Sequence, residues 1–455
     1  MKTNNLTQGS ILSALFKLAI PIMGTSFVQM AYNMTDMIWV GRVGSRAVAA
    51  VGTAGFFTWL AMAFILIPKI GAEVGVAQSI GKNDMKEAKI YIKHTLQMIV
   101  VIALIYALSL ITFRKPLIGF FNLGEPDIIQ NAINYLVIIS FGLVFYFINP
   151  VFTAIFNGYG ESRTPFIINS IGLLVNMVLD PLLILGLGPI PRLEVAGAAI
   201  ATVIAQAVVT LIFVLNARMR PELFSGLNLF KAPDMAHINK IFKLGLPVAL
   251  QSGLFTVFAM VIARIIAQWG PIPIAVQKVG SQIEAVSWMT AGGFQTAMST
   301  FVGQNYGAKN WDRISKGYMV GLAIMTVIGI FTTGLLYFGA RPIFSIFIPE
   351  PESISYGVVY LKILALSQLF MCIELTTAGA FNGLGNTVPP SIIGIVFNSL
   401  RIPGALILSA TSLGLNGVWW AISISSIFKG VILATWYMML LKKSNKAIGE
   451  VVLEP

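Results

Sequence analysis

Two stretches of the chain repeat each other in register. Phe16-Lys17-Leu18-Ala19-Ile20-Pro21 returns 226 positions later as Phe242-Lys243-Leu244-Gly245-Leu246-Pro247. Gln78 and Gly81 return as Gln304 and Gly307 at the same offset. Farther on, Tyr135, Asn157-Gly158-Tyr159-Gly160 and Pro165 return as Tyr360, Asn382-Gly383-Leu384-Gly385 and Pro390, now 225 positions apart. One residue of drift across most of a half-chain marks a duplicated unit. Whatever the first half folds into, the second half has to fold into as well.

The solvent for that fold is lipid. Hydrophobic residues make up 56% of the 455 and charged residues 11%. A soluble domain of this length has no interior large enough for so much apolar surface. Apolar runs of ~20 or more residues, the length of a bilayer-spanning helix, occupy 12–40, 48–78, 91–112, 129–157, 165–185, 194–216, 241–269, 274–303, 317–338, 356–381, 391–410 and 417–441. Continuous runs such as Met98 to Leu110 exclude the short alternating segments of a membrane β-barrel. The predicted architecture is all-α and polytopic, with twelve transmembrane helices in two six-helix lobes, 1–216 and 241–455. A linker over 217–240 joins them. An even number of helices starts both repeats on the same side, so a pseudo-twofold axis along the membrane normal is expected to relate the lobes. The first span carries Asp36 and reads as a mature helix rather than a cleaved signal.

The net charge of +12 suggests nucleic acid until its distribution is read. With the N-terminus placed inside, eighteen Lys and Arg near helix ends fall on the inner face and six on the outer. The excess is a topology signal, so both termini are expected to be cytoplasmic and no nucleic-acid partner is implied. Cys372 is the only cysteine, which excludes an internal disulfide. No Walker motif is present, so ATP is not the energy source within this chain. No nucleophile–base set appears, and His94 and His237 both fall at cytoplasmic helix ends. An enzyme is not expected, nor a cofactor.

Carboxylates deep in a membrane helix each cost about 2.5–3.5 kcal/mol on insertion scales and need a reason to be there. Asp36 lies in the first helix and Asp180 in the fifth. Asn176 sits one turn before Asp180 on the same face. Thr202 lies about eight residues into the sixth helix, roughly 12 Å from its outer end, with Ala198 one turn earlier. These positions can share one level of the first lobe. Two carboxylates, an amide and a hydroxyl are hard oxygen donors that suit a small cation such as Na⁺. The same carboxylate pair can instead share a proton. The second repeat does not copy this set: Asp36 maps to Ile262, and Asn176 and Asp180 map to Asn398 and Ile402. Ion coupling is therefore expected in the first lobe alone. Glu284 and Glu374 are the second-lobe acids with possible transport roles. Their simpler reading is internal pairing, Glu284 with Lys278 and Glu374 with Arg401.

The Asp36 helix also carries polar Gln29, Tyr32 and Asn33, and Met30, Met34 and Met37 at helical spacing. With Met62, Met289 and the aromatics Phe56, Phe57, Trp59, Phe145, Tyr146, Phe152 and Trp288 these are candidates for a substrate path, since methionine adapts to varied apolar ligands and aromatics stack on planar cations. Pro21 and Pro247 each remove a backbone hydrogen bond from the first helix of a repeat and allow it to bend.

Taken in order, these residues resemble the multidrug and toxic compound extrusion (MATE) family, in particular its prokaryotic DinF-like branch. The resemblance is carried by Pro21 followed by Tyr32-Asn33-Met34-Thr35-Asp36, by Gly71 with Gln78 and Gly81, and by Asn157-Gly158-Tyr159-Gly160. Asn176, Asp180-Pro181 and Val195-Ala196-Gly197-Ala198-Ala199 complete it. It implies the MATE/MOP fold and an alternating-access antiporter in the plasma (inner) membrane. Such a protein exports organic cations, amphiphilic drugs or metabolites against inward H⁺ or Na⁺. It also implies a first-lobe cation site at Asp36, Asn176, Asp180 and Thr202. No partner beyond small molecules and the bilayer is expected, and the chain is expected to be a monomer. A flippase for lipid-linked precursors, built on a related fold, is the alternative.

Overall fold

The computed structural model describes residues 6–186 and 191–452, with side chains described as far as Ser444. Among the described residues there is no strand. The helices are α1 (Ile11–Val43), α2 (Ser45–Gly81), α3 (Met85–Gly119), α4 (Pro126–Tyr159), α5 (Arg163–Leu185), α6 (Glu194–Arg218), α7 (Pro221–Phe224), α8 (Met235–Ile266), α9 (Pro271–Gly307), α10 (Trp311–Phe338), α11 (Ala340–Phe347), α12 (Pro351–Gly383), α13 (Val388–Ser409) and α14 (Leu415–Val452). Eleven of them are long and apolar enough to cross a bilayer. α9, 37 residues long but more polar, makes the twelfth. The predicted twelve-helix, two-lobed class is what the chain adopts.

The duplication is visible in the helix ends. Asp84 caps α3 by accepting the Glu87 N–H at 2.9 Å, and Asn310, 226 positions on, caps α10 by accepting the Arg313 N–H at 3.2 Å. The residue before each cap, Asn83 and Lys309, turns through a positive φ of 57° and 56°. α4 and α12 both open on a proline, Pro126 and Pro351, where the missing N–H is harmless. The Asn-Gly pair near the end of each of those helices marks a close approach. A Cβ on Gly158 would stand 2.7 Å from the carbonyl oxygen of Glu73, and one on Gly383 2.5 Å from that of Ser299. The repeats differ where α3 runs unbroken through Pro116, whereas the second repeat breaks at Gly339 into α10 and α11.

Two compact units result. Among the described residues, one gathers Gly24 to Ala249; the other gathers Leu6 to Met23 and the residues from Leu250 onward. In the first, α4 is central, packed against α2, α3 and α6, with α5 against α6. In the second, α12 is central, packed against α9, α10 and α14, with α13 against α14. Helix α1 is continuous through Pro21, yet its opening residues Leu15, Leu18, Ala19 and Ile22 bury themselves among Phe294, Phe301 and Tyr318 of the second unit. Reciprocally, Ile241 near the start of α8 lies in the core of the first unit. The chain changes unit between Met23 and Gly24 in α1, and between Ala249 and Leu250 in α8. Each change falls two residues after the helix's proline.

Candidate functional site

The first unit contains a polar cavity of about 80 Å³, room for several water molecules. α1 gives it one wall. Gln29, Tyr32, Asn33 and Asp36 follow at helical spacing and all four face it. α4 gives another wall through Tyr135, Ile139, Gly142 and Tyr146, again one helical face. Thr58 of α2 and Thr202, Val203 and Gln206 of α6 close it.

The expected ion set assembles beside this cavity. The Thr202 hydroxyl donates to Asp36 Oδ2 at 3.4 Å, and the Tyr32 hydroxyl reaches the Thr202 carbonyl at 3.5 Å. Asn176 donates through Nδ2 to Asp180 Oδ1 at 3.1 Å, and both side chains are fully buried. The Asp36 carboxyl is in contact with the Asp180 carboxyl and with the Asn176 amide. Helix geometry explains the convergence: Asn176 and Asp180 stack one turn apart on α5, and α6, which packs along α5, presents Thr202. Three buried oxygens of the set, Asp36 Oδ1, Asn176 Oδ1 and Asp180 Oδ2, have no hydrogen-bond donor. Buried acceptors left so are costly. Among the described residues no group of three or more His, Cys, Asp or Glu forms a transition-metal site. Two carboxylates with an amide and a hydroxyl fit a hard monovalent ion instead.

The remaining candidates are dispersed. Ala198 is buried one turn before Thr202 and is not a wall of the cavity. Met34 and Met37 are exposed, at 53% and 43%, while Met30 is half-buried. Met62 packs against the core of the first unit. Met289 and the half-exposed Trp288 belong to α9 in the second unit. Of the α4 face only Tyr146 is among the aromatic candidates; Tyr135, Ile139 and Gly142 were overlooked, although positions 135, 139, 142 and 146 are spaced as one helical stripe and Tyr135 is a repeat marker. Gln206 was overlooked as well. Asn149 donates to its Oε1 at 2.8 Å, while Thr210 donates to Asn149 Oδ1 at 2.7 Å. Gln206 is thereby held at the cavity edge with its Oε1 occupied.

In the second unit the expected pairings are replaced. Glu284 does not meet Lys278, which is six residues away on α9, on another face, and exposed. Glu284 instead accepts from the Tyr360 hydroxyl at 2.6 Å and from Gln368 Nε2 at 3.1 Å. Glu374 pairs not with Arg401 but with Lys429, at 3.1 Å and with both side chains nine-tenths buried. The reason is packing. α12 lies along α14, which carries Lys429, and barely touches α13, which carries Arg401. Arg401 donates to the hydroxyls of Ser425 and Ser426 at 2.7 and 2.9 Å.

A duplicated set of twelve membrane-length helices, with paired acids beside a polar cavity, describes an integral membrane transporter rather than an enzyme. The chain belongs to the MatE family, whose model matches residues 21–182 and then again residues 247–407. It is 28% identical to the probable multidrug resistance protein NorM of Thermotoga maritima, over 93% of this chain and 91% of that protein. It is 23% identical to the FAD transporter of Shewanella oneidensis, over 96% of each. In fold it matches MATE solved in a bent and in a straight conformation. Each comparison gives a TM-score of 0.90 and 23% identity, covering 98% of this chain and 99% of that one. The protein is thus a multidrug-efflux family transporter. A lipid-precursor flippase is not the reading these relatives favour.

Proposed function

We propose that the chain is an antiporter that exports organic cations or amphiphilic drugs or metabolites in exchange for inward H⁺ or Na⁺. The coupling site is Asp36, Asn176, Asp180 and Thr202. The observation that carries this reading is the meeting of two carboxyls, each with one buried oxygen that, like Asn176 Oδ1, has no donor. One proton bridges the two carboxyls and removes one of two like charges held in low dielectric. One Na⁺ satisfies the same oxygens with the Thr202 hydroxyl beside them. Either event neutralises charge at Asp36, which lines the cavity with Gln29, Tyr32 and Asn33. A cationic substrate held there by Asp36 loses its counter-charge when the coupling ion arrives. That competition is exchange.

Pro21 supplies the mechanical step. It lies on the Asp36 helix two residues before that helix changes unit, so a bend there moves Gly24–Val43 while the opening stretch stays packed in the other unit. The family's bent and straight solved conformations support a bend as part of the cycle. Pro247 occupies the matching place in α8. The Lys and Arg asymmetry supports cytoplasmic termini and a plasma (inner) membrane location. The set acts in a monomer, with a small-molecule substrate and no cofactor.

Reconstituted vesicles test this reading. Efflux of a fluorescent organic cation is followed under a Na⁺ gradient or a pH gradient, imposed separately, for wild type and Asp36→Asn. Transport driven by one gradient and abolished by the substitution is the expected result and names the ion. Wild-type transport that survives the substitution removes the first-unit site.

A further inference from the structure

Arg401, half-buried on α13, lies within electrostatic reach of Glu284, Glu374 and Lys429. Of these four charges only Glu374 and Lys429 touch. The Arg401 Nε donates to Ser425 and its Nη2 to Ser426, at 2.7 and 2.9 Å. The guanidinium carbon lies 5.9 Å from the centre of the exposed Phe255 ring. Among the described residues no carboxylate pairs with Arg401, and its Nη1 has no acceptor. Glu284 is likewise held by neutral groups, the Tyr360 hydroxyl and Gln368 Nε2. The same Gln368 nitrogen reaches the Leu364 carbonyl at 3.3 Å, which fixes the amide. Gln368 Oε1 is buried and has no donor.

The duplication shows which place this is. At the 226- and 225-residue offsets of the repeat, Phe255, Glu284 and Tyr360 stand where Gln29, Thr58 and Tyr135 stand in the first. Those three line the first-unit cavity. The second repeat has Ile262 in place of Asp36, and has brought to this place an arginine and a carboxylate that do not meet. Charged side chains in membrane-spanning helices are costly and mark ligand or ion paths. Each of these two keeps hydrogen-bonding capacity unused: a donor at Arg401 Nη1, and an acceptor beside Glu284 at Gln368 Oε1.

We propose that the second unit binds a zwitterion, with its carboxylate or phosphate on Arg401 and its primary ammonium at Glu284 and Gln368 Oε1. The guanidinium suits the anionic half, because it offers planar N–H donors to paired oxygens. Phe255 gives an apolar or aromatic body a surface to lie on. Charge balance selects a ligand of both signs. Glu284, Glu374, Arg401 and Lys429 sum to zero, so a lone cation or a lone anion would leave an uncompensated charge in low dielectric. A zwitterion leaves none. The ammonium has to be primary, because a quaternary one has no N–H to give Gln368 Oε1. The site lies in the other unit from Asp36 and its occupancy is read as binding, so it stands or falls apart from the coupling scheme.

The test uses the full-length protein in a non-ionic maltoside detergent and ¹⁹F NMR of three probes that share one aromatic body. They are 4-fluorophenylalanine, its methyl ester, which keeps only the ammonium, and its N-acetyl derivative, which keeps only the carboxylate. The amino acid is expected to bind ~10-fold or more tightly than either analogue. Arg401→Gln and Glu284→Gln should each remove that advantage. Phosphatidylethanolamine added to the micelles separates two sources of the same chemistry. Displacement of the probe assigns the site to a lipid headgroup, and no displacement assigns it to a soluble ligand. Binding of none of the probes, equal binding of all three, or an advantage that Arg401→Gln leaves intact overturns the proposal. If the buried variants do not fold, Phe255→Ala at its exposed position decides: it should weaken the amino acid, and unchanged affinity overturns the site.

Discussion

Asn176 donates to Asp180 Oδ1 from one turn below on the same helix, at 3.1 Å, and leaves Asp180 Oδ2 with no donor. A helix that satisfied this acid for structural reasons alone would satisfy both oxygens. Asp180→Asn is therefore expected to abolish ion-driven efflux while raising thermal stability. Removing a buried, half-satisfied charge that faces Asp36 gives back about 1–3 kcal/mol. A thermal-shift measurement in detergent beside a vesicle assay checks both. A variant that loses stability along with transport would make Asp180 a structural residue.

Lys429 and Glu374 form the buried ion pair of the second unit. Lys429→Met strands the Glu374 carboxylate and should destabilise by about 3–5 kcal/mol, whereas adding Glu374→Leu should restore most of the loss. Unfolding temperatures of the two single variants and the double variant measure it. Additive losses would show that the two charges act independently.

Gly158 and Gly383 face carbonyl oxygens that a Cβ would approach to 2.7 and 2.5 Å. Alanine at either position has to push one helix off another and should destabilise by about 1–3 kcal/mol. The two effects should be similar, because the sites are copies. Gly41→Ala, with nothing within 4 Å of its Cβ, is the neutral control. Thermal unfolding of the three variants separates packing from loss of glycine as such.

Pro21→Ala restores a backbone donor in α1 and stiffens it. Binding of a cationic dye should persist, while gradient-driven turnover falls or loses its ion dependence. Coupled transport with unchanged ion dependence would remove the bending step.

Much of this was legible in the sequence, because lipid enforces simple rules. Helix number and position follow from apolar run length, and the duplication shows in Pro21 and Pro247. Asp36, Asn176, Asp180 and Thr202 are conspicuous because polar groups are expensive at those depths. The partners of Glu284 and Glu374 were not legible, since the choice between Lys429 and Arg401 is made by which helix packs beside α12. Lys429 itself lies midway along the 417–441 run, where nothing in the sequence marks it as the partner of Glu374. Apart from Tyr146, the cavity face of α4 went unnoticed because Tyr135, Ile139 and Gly142 look like ordinary packing in so apolar a chain. That α1 and α8 would change unit midway was equally hidden, because nothing in their composition alters at Met23 or Ala249.

That exchange bears on how such a chain can have arisen and on how it can be cut. Ile241 packs where a Cβ on Gly71 would meet it at 2.6 Å, and a Cβ on Gly245 would come closer still to the backbone of Ile67. Each repeat has in effect lent its opening turns to its sibling. A gene encoding the first repeat alone would produce a protein with an empty groove on α2, which a second copy's leading helix would fill. The single-repeat ancestor is thus most simply a domain-swapped homodimer, fused later into one polypeptide. Fragments split in the connection after α7 should be insoluble when made separately and should recover only when co-expressed.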